Sequence, residues 1–281
     1  MRERRDRPHR GERRAGRPER ELRAPARSFE PARAGEEVVY GRRAGLAVLA
    51  RRPAAVLRVA CAPALRREIE DALRRAGPNA ARVACAEMDD ASLGRSAGSD
   101  HHEGLCVVTK PRAFASLRDL GDRLLRTKGV AVAFDRVRNP YNIGAILRTA
   151  AFFGAEGAIL GAPAPHPALP PDAVRVAEGG AEDLCLARTT DLADSLGRLR
   201  ALGVRVFGAE NDASINAIGH DFPRPAILVV GHEREGMGDR VIAQCDAMVR
   251  ITGHGVVGSL NVGIAASVLL AEMLRPQLKA P

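Results

Sequence analysis

Three stretches of the chain combine glycines with polar side chains directly after an apolar run. They read DRVRNPYNIGAILRTAAFFG at 135–154, VVGHEREGMG at 229–238 and ITGHGVVGSLNVGIAAS at 251–267. Glycine lets the backbone pass close to a ligand, and the loops that follow parallel strands gather at one edge of a sheet, where ligands bind. The three stretches therefore predict one pocket with five polar side chains: Asn142, Arg148, Glu233, Ser259 and Asn261.

The third stretch also contains a G-x-G-x-x-G pattern, at Gly253, Gly255 and Gly258, between a strand-like and a helix-like run. This pattern is typical of dinucleotide-binding folds. Such a fold places the pattern at its first strand-to-helix turn, and a second strand must follow with an acidic residue about 20 residues later. Here the chain ends 23 residues after Gly258, and a helix-like run takes most of them. The position argues against a nicotinamide or flavin site.

Four of the five polar side chains also have a simpler explanation. Asn142 or Ser259 could cap a helix, Arg148 could be a surface residue, and Glu233 could be an ordinary loop acid. Their shared place at the start of strand-to-helix connections favours a site instead. Asn261 adds to this, because an amide inside the otherwise apolar run SLNVGIAASVLL is unfavourable unless it finds a partner.

The elements that must position these residues begin at residue 129. From there, strongly apolar strand-like runs alternate with helical patterns: GVAVAFDRV, EGAIL, VRVFGA, AILVV and AMVRI. Strands without a polar face are buried on both sides. The pattern therefore predicts an α/β fold in which helices cover both faces of a parallel sheet.

Upstream, residues 37–110 predict a small α/β domain, with an amphipathic helix at 64–77 among short strands. The strand-like runs lie at 55–62, 81–86 and 104–110. Residues 111–128 predict a connecting helix or linker between this domain and residues 129–281.

Charge is unevenly distributed along the chain. Its net charge is +9, and residues 1–35 carry twelve arginines against six acidic residues. Residues 1–36 contain too few apolar side chains to offset the entropy of ordering, which predicts a disordered arginine-rich tail. Such a tail commonly follows a phosphate backbone, which favours contact with RNA. A solubilising extension without a fixed partner is the alternative.

Several classes of protein are disfavoured by composition. No apolar run reaches the ~18 residues of a membrane span, and the charged N-terminus lacks the apolar core of a secretory signal. The five cysteines are dispersed without a C-x-x-C pair. This spacing favours reduced thiols in a cytoplasmic protein over a disulfide framework or a zinc site, and no metal site is predicted.

Together the three glycine stretches closely resemble the motifs of the SpoU–TrmH family of RNA ribose 2′-O-methyltransferases, in the SPOUT superfamily. The resemblance covers residues 129–281. Upstream, VVYGRRAGLAVL and HHEGLCVV resemble the edges of a ribosomal-protein-like substrate-binding domain. The resemblance implies a C-terminal trefoil knot, S-adenosylmethionine held by the knotted loops, a homodimer with sites near its interface, and rRNA or tRNA as the substrate.

Site residues follow from the same resemblance. Gly231, Ile251 and Leu260 match residues whose backbones hold the cofactor, and the five polar side chains match the family's catalytic set. The chain departs from the common motifs in two places. His232 and Arg234 replace smaller residues, and Thr252-Gly253 replaces a frequent Pro-Met pair, differences that bear on substrate choice.

The implied chemistry is the positioning of a nucleophile in line with an already activated methyl group. Arg148 is predicted to lie against the ribose oxygen and the adjacent phosphate, where it stabilises developing negative charge. A guanidinium does not readily release a proton, so the proton is expected to pass to phosphate or water. Asn142 and Glu233 are predicted to hold this arginine and the ribose edge, and Ser259 and Asn261 to fix the loops and the substrate. An inactive RNA-binding protein or a base methyltransferase of the same fold are the alternatives.

Overall fold

The computed structural model describes residues 29–30, 32–165 and 168–278. Most of the arginine-rich tail predicted at 1–36 lies outside these residues.

A small four-stranded sheet with three helices forms the first part of the described chain, which we call the small unit (residues 37–109). Its elements are β1 (Glu37–Tyr40), α1 (Arg42–Arg51), β2 (Val56–Cys61), α2 (Arg66–Arg75), β3 (Cys85–Glu87), α3 (Asp90–Ala97) and β4 (Leu105–Thr109). The strand order is β1-β4-β2-β3. β4 is antiparallel to both of its neighbours, whereas β2 and β3 are parallel. The apolar residues of α1 and α2 pack on one face, and those of α3 pack on the other.

A single helix, α4 (Leu117–Thr127), lies within the predicted connecting segment. Ser116 and Asp119 form a capping box at its start, which satisfies free amides of the first turn. Leu120 and Leu124 are buried against the larger sheet that follows. The segment therefore packs as part of that sheet's helical cover.

Seven strands build the large sheet. The elements are β5 (Val130–Phe134), α5 (Pro140–Phe152), β6 (Gly157–Gly161), α6 (Pro171–Val176), α7 (Gly180–Asp183), β7 (Cys185–Thr189), α8 (Leu192–Ala201), β8 (Arg205–Ala209), β9 (Ile215–Asn216), β10 (Ala226–Val230), α9 (Asp239–Ile242), β11 (Ala247–Arg250) and α10 (Val262–Leu278). The strand order is β7-β6-β5-β10-β8-β11-β9, and every neighbouring pair is parallel. The predicted parallel sheet is confirmed.

Both faces of the large sheet are covered, as the apolar strands predict. Along β5, Val130, Val132 and Phe134 face the side of α5 and α10, while Ala131 and Ala133 face the side of α4 and α8. The motifs did not indicate β7 or the two-residue β9. β7 lies at an edge of the sheet and ends in partly exposed polar residues, so it carries no long apolar run.

The small unit is held to the large sheet through α6 and α7. Val174 of α6 lies in the apolar core of the small unit. The Glu182 carboxylate, only 3% exposed, pairs with Arg112 at 2.5 Å and with Arg52 at 2.9 Å. Buried charges of this kind are tolerated only when they are paired. The contact therefore depends on specific partners and fixes the orientation of the two parts.

Neither a membrane helix nor a metal cluster is found among the described residues. None of their helices offers the length of apolar sequence that a membrane crossing requires. Their His, Cys, Asp and Glu side chains form no group of three or more that could hold a metal ion. All five cysteines are free thiols.

Candidate active site

The carboxyl-terminal edge of the large sheet contains a cavity of about 510 Å³. In the strand order, β10 lies between β5 and β8, so the loops that follow these three strands are neighbours. The cavity lies among these loops, where parallel sheets commonly bind ligands. Its walls come from residues 209–211, 230–234, 249–253 and 257–260, and from the apolar start of α10. Two of the predicted polar residues, Glu233 and Ser259, line it directly.

A chain of hydrogen bonds joins the three glycine loops at this cavity. Asn142 donates through Nδ2 to Glu233 Oε1 at 2.7 Å. Asn261 donates through Nδ2 to Asn142 Oδ1 at 3.1 Å. Asn142 is buried, and both sides of its amide are satisfied by these partners. The structure thus brings together three of the predicted residues across separations of 91 and 119 positions.

The capping alternatives for Asn142 and Ser259 are wrong. Asn139 caps α5 by accepting a hydrogen bond from the Tyr141 amide at 2.9 Å. Asn261 caps α10, because its Oδ1 accepts from the Gly263 amide at 2.8 Å. The side-chain amide of Asn261 therefore has two functions. Its Oδ1 caps the first turn of α10, and its Nδ2 donates to Asn142.

The loop at 231–238 is fixed by a tight turn. His232 and Gly236 exchange two backbone hydrogen bonds of 3.0 and 2.9 Å, and His232 Nδ1 accepts from the Arg234 and Glu235 amides. A Cβ on Gly231 would lie 2.5 Å from the carbonyl carbon of Gly236. Glycine is therefore required where β10 meets its own loop.

Two residues that the sequence reasoning missed hold this loop against the end of β5. The buried Asp135 carboxylate accepts a hydrogen bond from the Gly238 amide at 2.7 Å. Arg136 binds Glu235 at 2.9 Å and the Gly236 carbonyl at 3.1 Å. Their signal was present in the sequence, since a charged pair directly follows the apolar run of β5.

Glu210 is a further cavity residue that the motifs did not indicate. It directly follows β8 and lines the cavity beside the loop at 231–238, since a Cβ on Gly236 would lie 3.5 Å from Glu210 Oε2. Its amide donates to the Val249 carbonyl at 3.0 Å, and its Oε1 accepts a hydrogen bond from the Asn211 amide at 3.1 Å. The three predicted cofactor-binding residues, Gly231, Ile251 and Leu260, line the same cavity.

Arg148 lies elsewhere, and the prediction that Asn142 and Glu233 hold it is wrong in this chain. Its Nη1 is 2.9 Å from Glu178 Oε1, and it borders a shallow groove with Phe152 and Ser267 between α5 and α10. The reason is helical geometry. Arg148 follows Asn142 by six positions on α5, which turns its side chain by about 240° around the helix axis at 3.6 residues per turn. The two side chains therefore leave the helix on different faces.

Comparison with known proteins places this geometry in a family. Residues 129–271 match the model of the SpoU rRNA Methylase family. The match begins just before β5 and ends within α10, so it contains all three glycine loops.

Relatives align over more than the large sheet. The uncharacterized tRNA/rRNA methyltransferase YfiF of Escherichia coli O157:H7 is 30% identical over 245 residues, which are 86% of this chain and 69% of that protein. The 23S rRNA (guanosine-2′-O-)-methyltransferase RlmB of Ralstonia nicotianae is 35% identical over 218 residues, or 76% of this chain and 85% of that protein. The SpoU methyltransferase AviRb of Streptomyces viridochromogenes superposes with a TM-score of 0.69 at 25% identity, over 87% of this chain and 91% of that structure. In its complex with AdoMet, the TM-score is 0.71 at 24% identity.

Proposed function

The chain belongs to the SpoU rRNA methylase family, and we propose that its cavity is where a methyl group passes from S-adenosylmethionine to a ribose 2′-hydroxyl of structured RNA. Two findings support an S-adenosylmethionine-dependent RNA ribose 2′-O-methyltransferase: the RlmB relative is named a 23S rRNA (guanosine-2′-O-)-methyltransferase, and the SpoU methyltransferase AviRb was solved in complex with AdoMet. The observation that carries the assignment to this cavity is the hydrogen-bonded chain Glu233–Asn142–Asn261, which joins all three glycine loops at its wall.

The cavity suits the proposed cofactor. Its volume of about 510 Å³ falls within the ~300–1,000 Å³ of typical small-molecule sites. The backbones of Gly231, Ile251 and Leu260 offer amide and carbonyl groups along one wall, and the Glu210 carboxylate can accept hydrogen bonds from hydroxyl groups. When bound there, S-adenosylmethionine supplies a methyl group activated by its sulfonium.

The polar residues of the chain would orient the ribose. Glu233 and Ser259 line the cavity, and the amide of Asn142 holds the Glu233 carboxylate in place. Arg148 would stabilise negative charge on the 2′-oxygen as its proton leaves for phosphate or water. It can act without losing a proton, because a guanidinium is a permanent donor.

A homodimer would bring Arg148 to the reaction. Five large apolar side chains of α5, α10 and the loop at 251–261 are exposed: Phe152, Val256, Val257, Leu260 and Ile264. Exposed apolar surface of this kind marks interaction sites. In a two-fold dimer, the same surface is used by both copies. Because Arg148 borders this surface, it would enter an interface that also contains the cavity loop of the other copy.

The small unit would bind the RNA. The exposed face of α2 carries Arg67, Arg74 and Arg75, and such side chains contact phosphates. In this proposal, residues 37–110 form the ribosomal-protein-like substrate domain and residues 129–281 the methyltransferase domain.

The C-terminal trefoil knot is part of the same proposal. Its support is the return of the chain after β11 to α10, whose cap Asn261 contacts α5 beside the cavity.

Methylation assays test the proposal directly. Ribosomal and transfer RNA from cells lacking the gene would be incubated with the chain and S-adenosylmethionine, and 2′-O-methylnucleosides would be mapped. Arg148→Ala should fold, bind the cofactor and lose about 10²–10³-fold in rate. Arg118→Ala is the matched control, because Arg118 is an exposed arginine on α4. A parent-like rate in Arg148→Ala would refute the role of this arginine, and methylated bases in place of ribose would refute the reaction.

The dimer has its own test. Phe152 is 81% exposed on the proposed interface, whereas Leu202 is 52% exposed after α8. Phe152→Glu should yield monomers in sedimentation, and Leu202→Glu should behave like the parent. A parent chain that sediments as a monomer at assay concentrations would contradict this part of the proposal.

A further inference from the structure

One carboxylate, that of Glu178, is shared by arginines from the two parts of the molecule. Its Oε1 lies 2.9 Å from Arg148 Nη1 on α5. Its Oε2 binds the guanidinium of Arg43 on α1 of the small unit. The predicted catalytic arginine is thereby connected to the unit that is proposed to bind RNA.

Glu178 occupies a constrained turn between α6 and α7. Its φ is +47°, and Gly179 follows at +98°. Non-glycine residues rarely adopt such a conformation unless the surrounding structure imposes it. The Glu178 amide donates to the Arg175 carbonyl at 3.0 Å, and the Gly180 amide donates to the Ala177 carbonyl at 2.8 Å. The backbone that carries the carboxylate is therefore held in one place.

The same turn packs directly on the segment of α5 that carries Arg148. A Cβ on Gly180 would lie 2.9 Å from the Leu147 carbonyl oxygen and 3.1 Å from the Arg148 Cα. The approach is so close that only glycine fits. A movement of the turn must consequently move Glu178 and this part of α5 together.

We infer that Glu178 is a positioning residue for Arg148, and that Arg43 links its placement to the small unit. The inference rests on the proposed catalytic role of Arg148. A free arginine side chain samples many rotamers, and Glu178 restricts them by binding one terminal nitrogen. A guanidinium has five N–H donors, so those not engaged by Glu178 are available to a ribose or phosphate oxygen.

The solvent exposure of these arginines distinguishes a positioning role of Glu178 from a role in stabilising the fold. The Arg148 side chain is 52% exposed and that of Arg43 is 67% exposed, and Glu178 between them is 29% exposed. Ion pairs with such exposure contribute little to stability. Removing the Glu178 charge should thus leave unfolding nearly unchanged while it alters the placement of the reacting arginine.

The neighbouring pair Arg51–Asp183 provides a matched control. It joins the same helix α1 to the end of α7 at 2.7 Å, with an arginine nearly as exposed as Arg43 and a carboxylate that is 50% exposed, against 29% for Glu178. Glu178→Gln should lower kcat about tenfold, since small misplacements of catalytic groups are sufficient for such losses. It should leave KM for S-adenosylmethionine within about twofold, because Glu178 is not among the cavity residues, and Tm within about 2 °C. Asp183→Asn should keep the parent kcat.

Double variants connect the effect to Arg148. In an Arg148→Ala background, Glu178→Gln should cause no further loss of kcat, because residues that act as a unit are not additive. Arg43→Gln should lower kcat by less than Glu178→Gln does, about two- to threefold, because it removes only one of the two partners of the carboxylate.

The outcomes distinguish the inference from the proposed function. If Arg148→Ala keeps the parent rate, the catalytic role of Arg148 fails. If Arg148→Ala is inactive but Glu178→Gln keeps the parent kcat, only the inference is overturned. It is also overturned if Glu178→Gln raises kcat, which would mean that the carboxylate restrains the arginine, or if Asp183→Asn loses as much activity as Glu178→Gln.

Discussion

Replacing Asn142 by Asp tests the hydrogen-bond chain on which the assignment of the site depends. The change exchanges an N–H donor for a carboxylate oxygen at a buried position, 2.7 Å from Glu233 Oε1. The bond from Asn261 to Oδ1 can persist, because an aspartate oxygen accepts equally well. The perturbation is therefore confined to the contact between residues 142 and 233.

The expected loss of stability follows from two terms. A hydrogen bond to a charged group contributes about 1.5–3 kcal/mol. Two like charges 4 Å apart repel by about 4 kcal/mol at an effective dielectric constant of 20, but Glu233 is exposed and can turn towards water. We expect a net loss of about 2–3 kcal/mol in the free energy of unfolding, which lowers Tm by about 4–12 °C for a chain of this size.

Thermal unfolding and calorimetric binding of S-adenosylmethionine would measure the effect. The loss should shrink in acid, where the two carboxyl groups can share a proton. The double variant Asn142→Asp with Glu233→Gln should recover most of the stability, because donor and acceptor are then exchanged. Asn139→Asp is the matched control, since aspartate caps α5 as well as asparagine does. Parent-like stability of Asn142→Asp, or a double variant no better than the single one, would refute the reasoning.

Three further changes probe the cavity and the contact between the two parts. Gly231→Ala should weaken S-adenosylmethionine binding by at least about tenfold in calorimetry, because the new Cβ would overlap the loop that follows. Gly238→Ala is the control and should bind normally, because its Cβ would lie 3.7 Å from its nearest neighbour, Arg136 Nη2. Tyr40→Phe should lower the free energy of unfolding by about 1 kcal/mol through loss of the bond to Asp172. Burial and the Asp172 carboxylate raise the pKa of Tyr40 above its ordinary value of 10.0. The parent should therefore be more stable than Tyr40→Phe by the full amount below pH 10.0, and this difference in unfolding free energy should be lost as the pH rises further. A difference that does not change with pH would contradict this. Glu182→Gln removes the buried carboxylate that pairs with Arg112 and Arg52, and Arg52 then keeps only Glu37 at 3.4 Å. The change should lower Tm by about 6–20 °C in calorimetry, and a smaller change would mean that the pair is solvated.

The sequence was informative wherever burial alone decides the residue type. A strand covered on both faces must be apolar along its whole length, so β5 and β10 were recognisable from their residues. β7 was missed because an edge strand has less apolar surface to bury, and the polar ends of CLART do not stand out. The glycine loops were found because their spacing reflects local backbone requirements.

Which polar groups meet was decided only by the tertiary structure. Asn142 was correctly grouped with Glu233 and Asn261, yet nothing local distinguished it from a helix cap such as Asn139. Arg148 was grouped with them by motif, but its helical phase turns it towards Glu178, a residue with no motif of its own.

The sequence by itself therefore determined the class of fold and the loops that border the site, because apolar patterning and glycine spacing act over a few residues. The partners of each charged and amide group depended on the strand order, which places β10 between β5 and β8 and packs α6 and α7 between the two parts of the molecule. Those contacts join residues up to 135 positions apart, as in the pair of Arg43 with Glu178, a distance over which no local pattern operates.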